Sequence, residues 1–592
     1  MAIFGGGVAG MTAAHELIER GFDVDVYEQH PQLGGKCRNY PLPGTGTDGR
    51  PDLFGTCGGH FFFGAYPNLG QTLGRIPLEG GGTVLDNLTT LTNQHGYISL
   101  MAFPELTLYL PELSPSALFA AIRGKNFLKI ARGWLMLLRK LGIRDSIILE
   151  SKVLALVTTG EKRRWQQLEH TGLSQFLRTD KLGSTAAQVG HLPKLLFSFS
   201  ETEDANTRVA ATWLTQSICA ALGEYGPGFT KAVAMLAGPE AQMWFDPWEL
   251  HLTSLGVRFH KERAVTHLAV ADGRIDSATV VDPEGNSVEV DADWFVLALP
   301  PSKANELVSS ELLHVAPELG QLSEVPSARM GDWLDSGGLL LFLKHRVSEL
   351  GALNIGGLKP WALICEPLSS RWRVDLTKYG DGTAVEYVTL QMAHLESLLG
   401  ESGIKPISHS SKEEITNVAL AMLRINIPGG ERIFADSAIH SVHIPGFIAG
   451  EGTPENPWRS DEEMFSPGPS CWQKQRQAVT SIPNLMLAGT LVRTTLGSEN
   501  MDSANESGKH AAAAIGQASG LPVPPVPIGT PRYPALLRRL HALDDRRFDA
   551  GKRNIFDVFF PLRPAEMLST KRIHASKLFE PADHSVERAD GR

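Results

Sequence analysis

The first ten residues constrain this chain more than any other stretch. Ala2 to Phe4 is a short apolar strand, Gly5, Gly7 and Gly10 follow in the spacing G-x-G-x-x-G, and Ala13, Ala14, Leu17 and Ile18 recur at helical intervals. Strand, turn and helix in that order predict an α/β unit that holds a dinucleotide. The first glycine permits the tight turn, the second lets the backbone approach a pyrophosphate, and the third lets the helix lie close on the strand. Val8 and Ala9 start the helix, where unpaired N–H groups meet phosphate charge. A second strand over residues 23–27 runs into Glu28 and Gln29. A carboxylate at that point accepts both ribose hydroxyls and disfavours a 2'-phosphate.

A second glycine turn, Leu33-Gly34-Gly35-Lys36, lies within reach of the same crevice. A domain built for a nicotinamide dinucleotide alone does not ordinarily need it. Successive glycines bring backbone N–H groups to a second part of a long dinucleotide, and Lys36 or Arg38 can offset phosphate charge. A solvated surface lysine is the plainer alternative for Lys36.

With 592 residues, 42% hydrophobic and 20% charged, the chain is long enough for at least two cores. The net charge of -10 argues against nucleic acid as a general partner, while a local basic patch can still meet an acidic membrane. Cys37, Cys57, Cys219, Cys365 and Cys471 form no C-x-x-C pair, which reads as free thiols in a reducing compartment. His15, His251, His260 and His267 have no metal-ligand spacing, so no metal is expected. No leader pattern precedes the first strand and no charge-free apolar run of about 18 residues occurs. The expectation is a cytoplasmic protein, with any membrane contact peripheral and on the inner face.

Hydrophobic periodicity predicts a Rossmann-like α/β domain interrupted by a mixed α+β substrate domain. The dinucleotide domain takes residues 1–100, returns at 257–330 with a β meander, and closes at 455–520. A largely helical cap fills 101–256, a substrate-domain sheet 331–454, and a proline linker with a basic, charge-rich extension 521–592. Helices are expected at 172–177, 209–222, 229–236, 247–255, 413–423, 501–515 and 533–543. Strands are expected at 106–110, 264–270, 275–281, 288–290, 294–299, 339–342, 362–365, 384–391, 439–443 and 485–487. Small residues Ala504, Gly508 and Ala511 to Ala514 let the 501–515 helix approach a ligand or sheet closely. Trp244, Phe245 and Trp248 fit either a plain core or an apolar tunnel. Lys125, Lys129, Arg132, Arg139 and Lys140, with Trp134, Leu135 and Leu138, form a basic amphipathic stripe suited to a membrane surface or to an ordinary half-buried helix.

Three segments carry a likeness to a known family. They are Gly59-His60-Phe61-Phe62-Phe63-Gly64-Ala65-Tyr66-Pro67-Asn68-Leu69, the returning strand end Ala298-Leu299-Pro300, and the closing run Leu487-Ala488-Gly489 with Asn500-Met501-Asp502-Ser503-Ala504 and Ser507-Gly508. With the opening glycine turns, they resemble the flavin-dependent amine oxidase superfamily, and within it the plant and cyanobacterial type of phytoene and zeta-carotene desaturases. The likeness departs at Thr490, where the family has an acid, and at Asn-Met-Asp-Ser-Ala, where it has Ser-Met-Glu-Gly-Ala.

The resemblance implies FAD as cofactor, held by Gly5, Gly7, Val8, Ala9, Gly10, Glu28, Gln29, Gly34, Gly35, Lys36 and Gly59, and at the closing end by Gly489, Thr490, Asn500, Met501 and Ala504. It implies desaturation of a carotenoid, isoprenoid or other long apolar substrate by hydride transfer to flavin, with an unidentified acceptor such as a quinone or oxygen. Double-bond isomerisation with reduced flavin, amine or amino-acid oxidation, and a non-enzymatic flavin carrier are the alternatives. His60 is the polar candidate for catalysis, as a neutral imidazole able to shuttle a proton, against the reading of a satisfied structural histidine.

Overall fold

The computed structural model describes residues 1–90, 98–100, 106–108, 141–183, 186–187, 190, 205–221, 223–231, 233–325, 327–329, 333–351, 353–357, 361–393, 405–460 and 462–561. The basic stripe of Lys125 to Lys140 lies outside the described residues.

The glycine turn does what its spacing requires. Strand β1 (Ala2–Phe4) is fully buried, helix α1 (Val8–Ile18) follows, and β2 (Asp25–Glu28) lies parallel to β1 with Ala2 opposite Asp25. On the other side of β1 come Phe295–Leu297 and then Leu485–Leu487, while Arg258–Lys261 adds an outer strand beside β2, all parallel. That outer strand is too polar to be read from hydrophobic alternation. Gly5 has φ +106° and a Cβ there would strike the Ala298 carbonyl oxygen. A Cβ on Gly10 would strike the carbonyl of Gly5, so both positions are closed to side chains.

The closing helix, Met501–Ala518, crosses α1 so closely that a Cβ on Gly508 would run into the Ala9 carbonyl. Its run of small residues therefore serves contact with a second helix, α1, rather than the ligand or sheet expected from the sequence. Trp244, Phe245 and Trp248 are buried and stacked on one another, and Trp244 meets Phe62 edge-on. They are core.

The meander is present as Ala264–Ala271, Arg274–Val281 and Ser287–Asp291. The second sheet has seven strands, in the order Ile439–His443, Trp333–Leu343, Glu386–Ala393, Ala362–Pro367, Leu353–Gly357, Ile98–Leu100 and Leu106–Leu108. Leu341, Leu363, Leu390 and Met392 pack with Ile415, Ala419 and Leu423 of the helix Lys412–Asn426. That helix starts at a reciprocal cap between Ser411 and Glu414.

One expected helix is wrong. Residues 229–236 contain the strand Val233–Leu236, paired antiparallel with both Phe62–Phe63 and Leu88–Thr90. A short apolar run gives no period to separate helix from strand, and Gly228 at φ +83° breaks any helix leading into it. The helix Ile143–Thr158, conversely, went unpredicted.

The chain beyond the proline stretch is stitched to the body. Arg20 donates to the carbonyls of Pro524 and Pro525, and the Gly529 N–H donates to Asn68 Oδ1 at 2.7 Å. The helix Ala535–Asp549 docks on the cap: the Asp544 carboxylate accepts from Arg163 Nε at 2.9 Å and from the Gly160 N–H at 3.0 Å. Lys152, fully buried, pairs with Asp557 at 2.6 Å.

Candidate active site

The crevice opens at the carboxyl ends of the parallel strands, where the order reverses between β1 and Phe295–Leu297. This is where open α/β sheets hold ligands. The two glycine turns face each other across it. The Gly34 N–H donates to the Gly6 carbonyl at 2.9 Å, and a Cβ built on Gly7 would meet nothing closer than Gly35 Cα at 3.5 Å. Gly34 and Gly35 both have positive φ, +113° and +55°. The fold thus requires Gly5 and Gly10 for its own packing, whereas Gly7 leaves a slot that a ligand group can use.

Helix α1 starts at Gly7 with no side-chain cap and no acid in its first turn. The N–H groups of its first turn, from Val8 through Gly10, have no intrahelical acceptors and suit a pyrophosphate. Glu28 is 5% exposed at the end of β2, its Oε2 accepting from the Gly6 N–H at 2.7 Å and its Oε1 from the His30 N–H at 2.9 Å. Burial raises its carboxyl, against the pull of these two N–H donors and of Arg38. The remaining lone pairs are available to ribose hydroxyls. The Gln29 side chain is exposed and reaches His30.

The two cations beside the second turn are engaged by carboxylates. Lys36 Nζ donates to Glu499 at 2.9 Å, and Arg38 pairs with Glu462 at 2.7 Å. A phosphate in this crevice would meet backbone N–H groups before either cation.

At the closing end, Gly489 has φ +79° and open space where a Cβ would go, with Leu299 O the nearest atom at 3.8 Å. Its N–H donates to Ser507 Oγ at 2.8 Å, which ties strand end to helix. Asn500 caps that helix by accepting from the Ser503 N–H at 2.8 Å, Met501 is buried, Ala504 lies partly buried on the first turn, and Thr490 stands half-buried after Gly489. Asp502 is fully buried and its Oδ1 accepts from the N–H groups of Asn68 and Leu69, capping the helix Leu69–Leu73. The acid of the closing motif thus holds the fold.

On the substrate-domain side, the Gly59 N–H donates to Glu366 Oε2 at 2.9 Å. His60 Nδ1 lies 2.9 Å from Glu240 Oε1, and Asn39 Nδ2 donates to Glu240 Oε2 at 2.8 Å. Burial would depress the imidazole, but Cys37 and the Glu240 carboxylate together raise it well above the usual histidine range. That direction favours the protonated imidazole over the neutral form expected from sequence. Glu366, at 2% exposure, is pushed up to about 7 by burial, with the Gly59 N–H, His60 and Gln391 pulling the other way. Sequence reasoning missed Glu240 and Glu366. The available signal was a lone acid ending the apolar strand Ala362–Pro367.

The fold brings His15, Glu19 and His251 within 4.8 Å of one another. Trp248 Nε1 donates to His15 Nδ1 at 3.1 Å, which leaves the proton on Nε2, facing Glu19 at 3.0 Å. Both ring nitrogens of His15 are thereby used without a metal.

Comparison with known proteins agrees with this geometry. The family model described as flavin containing amine oxidoreductase matches residues 8–516. A zeta-carotene desaturase of Solanum lycopersicum is 35% identical over 130 residues, 22% of this chain and 20% of that protein. A carotenoid phi-ring synthase of Streptomyces griseus is 41% identical over 81 residues, 14% of this chain and 15% of its own length. These matches span a fifth or less of the relatives' lengths. Among solved structures, cyclohexylamine oxidase of Brevibacterium oxydans superposes with a TM-score of 0.54 at 14% identity, covering 88% of this chain and 99% of that one. A putrescine oxidase does so at 0.52 and 14%, covering 87% and 98%, so the likeness of both is one of fold. The chain belongs to the flavin containing amine oxidoreductase family, with FAD as its cofactor, and over part of its length it is similar to carotenoid desaturases.

Proposed function

We propose that the protein desaturates a long apolar polyene, of carotenoid or other isoprenoid type. The observation that carries the reading is the segment Gly59 to Leu69, which places aromatic side chains and a single ion pair at the junction of the two sheets. Phe62 and Phe63 pair with Val233–Leu236, Phe63 meets Trp213 edge-on, and Phe61 packs on the substrate-domain core. The identity to carotenoid desaturases supports the same substrate class.

In this reading FAD supplies a hydride acceptor when bound. The α1 N-terminus and Gly7 receive its pyrophosphate, Glu28 its adenosine ribose, Gly34 and Gly35 the chain between, and the Gly489 to Ala504 region its ribityl and ring end. Gly59 and His60 close the substrate side, where Glu240 holds the His60 ring in place and the aromatic groups exclude water. The test is anaerobic mixing of the FAD-loaded protein with zeta-carotene or phytoene. Bleaching of the flavin absorbance before any acceptor is added supports the reading; no bleaching with either polyene defeats it.

Delivery of such a substrate favours peripheral membrane contact through the Lys125 to Lys140 stripe, with a quinone or oxygen as acceptor. The exposed Ile143, Ile147 and Leu154 on the adjoining helix support the contact. No helix among the described residues is long and apolar enough to cross a membrane. Charge reversal at Lys125, Lys129 and Arg132 reduces co-sedimentation with anionic liposomes at low salt if the reading holds; unchanged partitioning refutes it.

A further inference from the structure

The substrate-domain sheet carries a polar spot in an otherwise apolar setting. Strand pairing sets Glu366 opposite Thr389 and Ile364 opposite Gln391, so these four share one face. Leu363, Cys365, Val388 and Leu390 take the other face, within the hydrophobic core. The Glu366 face meets the Gly59–His60 turn so closely that a Cβ on Gly59 would lie 2.6 Å from Glu366 Oε2. That oxygen already accepts from the Gly59 N–H at 2.9 Å and from Gln391 Nε2 at 3.0 Å. Both bonds fall on Oε2, which leaves Oε1 to carry a proton. Thr389 Oγ1, buried on the same face, has no hydrogen-bond partner among the described residues.

We propose that Glu366 is the base that receives the proton released by the substrate during desaturation, an inference that rests on the desaturase reading. The balance is simple. One substrate carbon loses a hydrogen with its electron pair to oxidised flavin, the neighbouring carbon loses a proton to Glu366 Oε1, and the electron pair of that second C–H bond becomes the new double bond. Glu366 later returns the proton to solvent.

His60 suits this role less well, because its Nδ1 is engaged with Glu240 Oε1 at 2.9 Å and, against burial, Cys37 and Glu240 raise its imidazole toward the protonated form, which has no lone pair to offer. The titratable groups around Glu366 are His60 on the turn, Glu240 behind it, and Tyr387 and Cys365 on the sheet. Of these, His60 favours the ionised carboxylate. Burial works against ionisation and leaves Glu366 at about 7, where both protonation states are populated near neutral pH. That is the condition a proton acceptor needs if it must also discharge.

The test uses the FAD-loaded full chain and its Glu366→Gln and Glu366→Asp variants. Glutamine keeps an acceptor for the Gly59 N–H but cannot take a proton. The first readout is independent of turnover: the bound flavin's absorbance is titrated with pH, and a transition near 7 in the wild type is absent in Glu366→Gln. The second is anaerobic flavin reduction by the polyene, which slows roughly 10²- to 10⁴-fold in Glu366→Gln, the range of a lost general base, and partly recovers in Glu366→Asp. Equal reduction rates in wild type and Glu366→Gln overturn the inference while leaving the desaturase reading intact. A flavin transition that persists unchanged in Glu366→Gln also overturns it. If no polyene reduces the wild-type flavin, the desaturase reading fails and the proton role falls with it, even where the transition is present.

Discussion

Gly7→Ala separates what the fold needs from what the cofactor needs. The backbone at Gly7 has φ -76° and ψ -178°, open to any residue, and the added Cβ meets only Gly35 Cα at 3.5 Å, an ordinary contact. Alanine is a poorer N-cap than glycine by about 1 kcal/mol, and a less flexible unfolded chain returns about 0.4–1 kcal/mol. Stability of the cofactor-free protein should therefore change by less than about 1 kcal/mol. Binding should suffer much more, because the methyl group fills the slot between the two glycine turns and holds the pyrophosphate off the α1 N–H groups. Losing two charge-assisted hydrogen bonds at about 1.5–3 kcal/mol each weakens FAD binding by at least about 3 kcal/mol, or roughly 10²-fold. Gly10→Ala is the contrast, since its Cβ strikes the Gly5 carbonyl and damages folding itself. Denaturant unfolding of the cofactor-free protein and a flavin fluorescence titration measure the two quantities. If Gly7→Ala binds FAD within a few-fold of wild type, the pyrophosphate does not lie in that slot.

Glu28→Gln keeps the shape and loses the charge-assisted acceptor, and should weaken FAD binding about tenfold, near 1.4 kcal/mol, in the same titration. Asp544→Ala strands the buried Arg163 guanidinium, and the cost of about 3–5 kcal/mol should appear as an early unfolding transition of the cap in thermal or denaturant scans. Asp502 has an ordinary value of 3.8 but is pushed up to about 7 by burial and Glu506. The unfolded chain gives up this proton near pH 4 while the folded chain holds it to about 7, so stability falls as pH rises through that window and levels off above it. Asp502→Asn should flatten that fall in a pH series of denaturation midpoints.

Local signals were legible and distant ones were not. The opening turn and the strand ending at Glu28 announce themselves because each requirement is met within a few residues of chain. The meander was equally plain, from alternation and its Asp272-Gly273 turn. Glu240 and Glu366 gave no such notice, because the residues that define them, His60 and Gly59, lie 180 and 307 positions away. The pairing of Lys36 with Glu499, 463 residues on, is likewise not visible in the sequence. The same holds for the extension after Leu521, whose proline and charge content resembles a linker until Asp544 is seen seated on Arg163. The strand Val233–Leu236 was misread because its two partners, Phe62–Phe63 and Leu88–Thr90, come from far upstream.

The central claim is net oxidation of a polyene by bound FAD, and an anaerobic single turnover with product analysis tests it most directly. FAD-loaded protein is mixed with an equivalent of zeta-carotene, the flavin spectrum is followed, and the extracted product is weighed by mass spectrometry. The account predicts one flavin reduced for each product molecule, which is lighter by two hydrogens and absorbs at longer wavelength. A product of unchanged mass, formed while the flavin keeps its initial redox state, would contradict the account and leave isomerisation in its place.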